Sequence, residues 1–168
     1  MEGEGALSVS GGGGVRILVD ADACPVKEEI YKVAFRREVP VTLVANSFLR
    51  VPPHPLIERL TVGAGFDEAD DRIAEMAGAE TVVVTADILL ADRCLKAGAA
   101  VVSPSGKPFT TSSIGAAIAT RAIMADLRAG AGAESGGGIG GPAPFRKEDR
   151  SRFLQALDEA LVRLQRTR

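Results

Sequence analysis

Apolar residues recur in this chain in short runs broken by helical stripes, and the alternation carries through most of its length. Val15 to Val19 is a run of apolar positions interrupted only by Arg16, short enough for a buried strand. Pro25 then suits the first turn of a helix. Val26, Ile30, Val33 and Ala34 give that helix one apolar face as far as Arg37. Val39 to Ala45 predicts a second buried strand, and the proline-rich loop from Arg50 to Pro55 excludes regular structure there. Leu56 to Val62 predicts a third strand, ended by Gly63-Ala64-Gly65. A helix follows from Phe66 to Ala77, with Gly78 as its cap. Thr81 to Val84 is a strand of β-branched residues, Ile88 to Ala97 a helix capped by Gly98, and Ala99 to Val102 a last short strand.

Beyond these, Ser103 to Thr111 predicts a loop, and Thr111 or Ser112 caps a helix running to about Arg128. Residues 129–146 turn to Gly, Ala, Ser and Pro, the composition of a flexible linker. In the final stretch, residues 147–168, Phe153, Leu154, Leu157, Leu161 and Leu164 lie at helical spacing. That stripe packs on the same domain or on a second subunit. Strand and helix in alternation predict a three-layer α/β/α domain over residues 15–128 with a mostly parallel sheet, plus the C-terminal helix.

Composition narrows the function classes. The chain has 168 residues, 46% hydrophobic but only 4% aromatic, so its core is built from Val, Ile, Leu and Ala. A net charge of −2 gives no general positive field to attract nucleic acid, so a polyanion would need local Arg or Lys, or a metal ion. Cys24 and Cys94 lack metal-ligand or disulfide spacing and read as small apolar side chains in a reducing compartment. Residues 1–14, with Gly11 to Gly14, lack the basic start and apolar stretch of a signal peptide and predict a disordered extension. No apolar run approaches a membrane span, which points to a cytoplasmic protein.

The informative acids stand where strands end. Asp20 closes the first strand and Asp22 follows it, while Asp87 closes the strand Thr81 to Val84 after Thr85-Ala86. Asp70 falls on the apolar arc of its helix with Ile73 and Ala77, a costly place for a carboxylate without a partner. Asp67, Asp71 and Glu75 fall off that arc. Each acid also has a simpler role: Asp87 and Asp22 as helix caps, Asp20 as a turn residue, Asp70 as partner to an arginine. Taken together they repel, by about 1 to 4 kcal/mol per pair at about 4 Å, unless some protonate or a hard cation settles among them. Oxygen ligands alone favour Mg²⁺ or Mn²⁺.

An Asp at the end of the first strand, an acid on a middle helix and a Thr-x-Asp after a later strand resemble the pattern of PIN-like nucleases. The wider set Val19-Asp20-Ala21-Asp22-Ala23-Cys24-Pro25, Val44-Ala45-Asn46, Ala64-Gly65-Phe66-Asp67 with Ala69-Asp70, Thr85-Ala86-Asp87-Ile88 and Gly140-Gly141-Pro142 resembles the YaiI/YqxD-type bacterial family. That family is grouped with PIN-like domains and has no assigned reaction. The likeness runs from about residue 15 to the C-terminus. The helix acid is Asp70 where the PIN pattern has Glu, and its reach is shorter.

The resemblance implies metal-assisted hydrolysis of phosphodiester bonds, in RNA. Asp20, Asp70 and Asp87 would hold Mg²⁺ or Mn²⁺, with Asp22 as a further ligand and Thr85 hydrogen-bonding a ligand or the attacking water. Asn46, Ser47 and Arg50, following the second strand, and Lys27 are the candidates for gripping phosphate. PIN-like domains also suggest pairing into a homodimer. Two rival readings stand beside this one. A haloacid-dehalogenase-like phosphatase shares the Asp20-x-Asp22 start, but its acidic pair would have to follow the Thr, and Asp70-Asp71 precedes it. A non-catalytic RNA- or protein-binding module would keep the fold without the reaction.

Overall fold

The computed structural model describes residues 14–22, 24–63, 65, 67–131 and 145–166, with side chains up to 127 and from 145. Among these residues six strands form one sheet. In chain order the elements are β1 (Arg16–Asp20), α1 (Lys27–Arg37), β2 (Val41–Ala45), β3 (Ile57–Thr61), α2 (Glu68–Met76), β4 (Thr81–Val84) and α3 (Ile88–Lys96). They continue with β5 (Ala100–Val102), β6 (Pro108–Phe109), α4 (Thr111–Ala131) and α5 (Lys147–Arg166). The strand order is β3-β2-β1-β4-β5-β6, parallel throughout except for the antiparallel β6 at one edge.

Because successive strand side chains point to opposite faces, the apolar runs of β1, β2 and β4 feed two separate cores. Ile17, Val19, Leu43, Val82 and Val84 pack with Ile30 and Val33 of α1 and with Phe153, Leu157 and Leu161 of α5. Leu18, Val44, Val83 and Val101 pack with Ala69 and Ile73 of α2, Leu90 and Cys94 of α3 and Ile114 of α4. The result is the expected three-layer α/β/α arrangement, with the terminal helix docked on its own chain. Ion pairs from Arg36 and Arg37 to Asp158, and from Arg150 to the buried Glu29, tie α1 to α5 at the surface.

Several boundaries differ from the sequence reading. Helix α2 starts at Glu68, not Phe66, and ends on Ala77 in an extended conformation. Gly78 does not cap it; its N–H donates instead to the Thr81 hydroxyl at 2.9 Å. The 103–111 loop contains β6, whose Phe109 and Pro108 pair with Val101 and Val102. Thr110, rather than Thr111 or Ser112, caps α4, its hydroxyl accepting from the Ser113 N–H. Residues 129–131 continue α4. The remainder of the expected linker up to residue 144, and the N-terminal extension up to residue 13, lie outside the described residues.

One glycine is required by contact as well as by conformation. Gly106, in the turn between β5 and β6, has φ +91° and lies against the backbone of α5. A Cβ there would come within 2.6 Å of the Arg152 carbonyl carbon and 2.7 Å of the Phe153 nitrogen.

Candidate active site

The chain runs outward from β1 to β2 and β3, then crosses back through α2 to β4 on the other side of β1. The strand order therefore reverses between β1 and β4, the place where open α/β sheets hold ligands at the carboxyl ends of their strands. Val19 pairs with Val84, so the next residues, Asp20 and Thr85, lie side by side at that point. Both have the parity of Leu18 and Val83, which face α2 and α3. These strand ends, α2 and the first turn of α3 thus frame one acidic rim.

Thr85 is buried, and its hydroxyl serves two acids at once. It donates to Asp20 Oδ2 at 2.8 Å and accepts from the Asp87 backbone N–H at 3.0 Å. Asp87 caps α3, its Oδ1 accepting from the N–H groups of Leu89 and Leu90. The capping role weighed for Asp87 is therefore real, yet it uses one oxygen only. Among the described residues, Oδ2 of Asp87 and Oδ1 of Asp20 have no hydrogen-bond donor, and Asp70 has neither a hydrogen bond nor an ion pair.

The three acids feel one another. Burial raises the Asp20 carboxyl above its ordinary value, the Thr85 hydrogen bond opposes this, and Asp87 and Asp22 raise it further. Asp70, half-buried beside Ala69 and Ile73, is pushed up to about 6, first by burial and then by the charges of Asp87, Asp20 and Asp67, with Arg93 opposing. Among the described residues, no three His, Cys, Asp or Glu side chains draw in as a ready ligand set for a metal ion. The donor chemistry nevertheless suits a hard divalent ion: carboxylate oxygens only, with unshared oxygens on each of the three acids.

Asp22 does not cap α1. Both its oxygens accept from the Asn46 N–H, at 3.2 and 3.0 Å, joining the β1–α1 loop to the end of β2. Asn46 Nδ2 in turn donates to the Gly63 carbonyl at 2.9 Å, so three loops of the rim are linked through it. Ser47 and Arg50 are exposed on the same loop. Lys27 is turned back, its Nζ donating to the Cys24 carbonyl at 3.0 Å. Arg93, which opposes the charge of Asp70, pairs with Asp71; away from the rim, Asp92 pairs with Lys96, and the His54 ring lies tilted against Phe35, 4.4 Å between centres. A groove of about 430 Å³ on the outer side of α2 is lined by Thr61, Val62, Gly63, Glu68, Asp71, Arg72 and Glu75. Three carboxylates against one arginine make it a poor seat for phosphate.

The sequence reading overlooked Phe48. It is 71% exposed in the loop after β2, and the Arg59 guanidinium carbon lies 4.3 Å from its ring centre. A single aromatic in an irregular loop carries no periodicity to mark it. The available signal was its position one residue past Asn46-Ser47, in a chain with few aromatics.

The chain belongs to the uncharacterised YaiI/YqxD family, whose model matches residues 18–163. It is similar to the UPF0178 protein of Sphingopyxis alaskensis, 71% identical over 150 residues that cover 89% of this chain and 95% of that one. The UPF0178 protein of Nitrobacter winogradskyi is 57% identical, covering 90% and 94%, and that of Jannaschia sp. is 60% identical, covering 88% and 93%. No solved structure matches the chain. No helix among the described residues is long and apolar enough to cross a membrane.

Proposed function

We propose that this protein hydrolyses phosphodiester bonds of RNA with the aid of a Mg²⁺ or Mn²⁺ ion held by Asp20, Asp70 and Asp87. The observation that carries the reading is the placement of Asp20 beside Thr85 at the strand-order reversal, where the Thr85 hydroxyl joins Asp20 to the Asp87 N–H and each of the two acids keeps one oxygen without a donor among the described residues; Asp70, pushed up to about 6 by burial and by their charges, accompanies them. Carboxylates with unshared oxygens are the ligands a hard divalent cation takes, and such an ion would offset their mutual repulsion. When bound, such an ion lowers the pKa of an attacking water and offsets charge on the phosphate. The likeness of Asp20, Asp70 and Thr85-Ala86-Asp87 to the PIN-like pattern supports the same reaction class.

The chain's own residues have separable tasks in it. Thr85 holds Asp20 in place and supports the backbone at Asp87. The capping bonds fix Asp87 so that its second oxygen stays free. Asp22 and Asn46 keep the loops of the rim in register. Arg50, with Asn46 and Ser47, supplies donors for the phosphates flanking the reacting one, and Lys27 joins them only by giving up its bond to the Cys24 carbonyl. Both cysteines are free and buried, in keeping with a cytoplasmic setting.

Calorimetric titration of Mn²⁺ tests the ion site, and gel analysis of a labelled single-stranded RNA tests the reaction. Wild type should bind Mn²⁺ and yield RNA fragments only with the ion present. Asp20→Asn should lose both while staying folded, with an unfolding midpoint in EDTA no lower than that of wild type. Equal Mn²⁺ binding by the variant would overturn the ligand assignment. Release of phosphate from small monoesters without RNA cleavage would favour the phosphatase reading instead.

A further inference from the structure

The loop between β2 and β3 presents Phe48 in a way that core packing does not explain. Leu49 and Val51 turn inward and pack against the core shared with α1. Phe48 and Arg50 alternate with them and are exposed. Arg59, on the edge strand β3, holds the arrangement from outside. Its Nη1 donates to the Leu49 carbonyl at 3.1 Å, and its guanidinium lies over Phe48. A ring pinned by its neighbours yet 71% exposed has one face fixed by a cation and the remainder open to solvent.

We propose that Phe48, backed by Arg59 and flanked by Arg50, is a stacking platform for a nucleobase of single-stranded RNA. This rests on the reading of the acidic rim as a phosphodiester site and extends it to the base of a neighbouring nucleotide. Two observations favour RNA as the occupant. Arg59 places positive charge over one face of the ring and Arg50 adds a second exposed cation two residues along the loop, the kind of pairing that single-stranded nucleic acids are gripped by. The platform also stands on the loop that leaves the rim: Phe48 is two residues beyond Asn46, whose N–H binds Asp22, at most about 7 Å along the chain, and Arg59, in register with Leu43, sets it on the α1 side of the sheet. Stacking tolerates any base, so the platform supplies grip without sequence preference.

The test uses the full-length protein, a fluorescein-labelled single-stranded RNA octamer and EDTA at low salt, where binding is read without cleavage. Phe48→Ala should weaken binding by about 5- to 100-fold, the range for loss of one base–aromatic stack. A run of abasic nucleotides in the octamer should weaken wild-type binding similarly and leave Phe48→Ala little changed. The chain has no tryptophan, so Phe48→Trp introduces a single reporter, which intact RNA should quench and the abasic octamer should not. Unchanged affinity in Phe48→Ala, an equal abasic loss in both proteins, or an unquenched Trp reporter would each overturn the platform. Products with Mn²⁺ but no dependence on Phe48 would leave the nuclease reading standing alone. Phe48-dependent binding without Mn²⁺-dependent products would keep the platform and remove the nuclease reading.

Discussion

Replacing Asp70 by Asn should stabilise the protein in the absence of divalent ions. The wild-type carboxyl is raised from 3.8 to about 6 by burial and by the charges of Asp87, Asp20 and Asp67. A raised acid binds its proton more tightly folded than unfolded, so its ionised form costs stability once the pH exceeds the folded value. The full difference corresponds to about 3 kcal/mol. Asp70 is only half-buried, and solvent screening reduces this to about 1 kcal/mol. The penalty is complete above about pH 6, falls to about half near pH 5, and vanishes as the pH drops below 3.8, where Asp70 is protonated in both states. Urea unfolding in EDTA should therefore show Asp70→Asn more stable than wild type by about 1 kcal/mol at pH 7.5, or about 3 °C in midpoint temperature, and by about half that at pH 5. Mn²⁺ should reverse the order by stabilising wild type alone. A gain independent of pH, or no gain, would show that the rim is not under charge strain.

Two further changes probe the supports of the rim and of the sheet. Thr85→Val keeps the volume but removes the donor to Asp20 and the acceptor for the half-buried Asp87 N–H. It should cost about 1–3 kcal/mol in urea unfolding and raise the Asp20 carboxyl further, while Thr85→Ser restores both bonds. Leu157→Ala empties a fully buried position between α5 and the sheet, and should cost about 2–5 kcal/mol. Because α5 packs on its own chain, that loss should not vary with protein concentration in thermal scans.

The acids could be read from the chain because their placement follows from short-range rules. Asp20 and Asp87 end apolar runs, and the parallel sheet brings such ends to one side. Asp70 was found by helical phase, which survives an error of two residues in where α2 begins, since Ile73 and Ala69 alone fix the buried face. The features that the chain does not reveal depend on contacts distant in sequence. Asp22 bonds to Asn46 rather than to its own helix because β1 and β2 are adjacent. Strand β6 is two residues long, too short for alternation to register, and exists because β5 offers an open edge. Gly78 resembles a helix cap until Thr81 claims its N–H. Phe48 gains meaning only once Arg59, from another strand, lies across it.

The turn at Gly106 sets a tolerance for the whole terminal helix. Its missing side chain lets two stretches of main chain touch, so the seat of α5 is gauged by an atom that is not there. A relative carrying even alanine at this place would have to shift its last helix outward, loosening Phe153 from the sheet, or rebuild the hairpin beneath it.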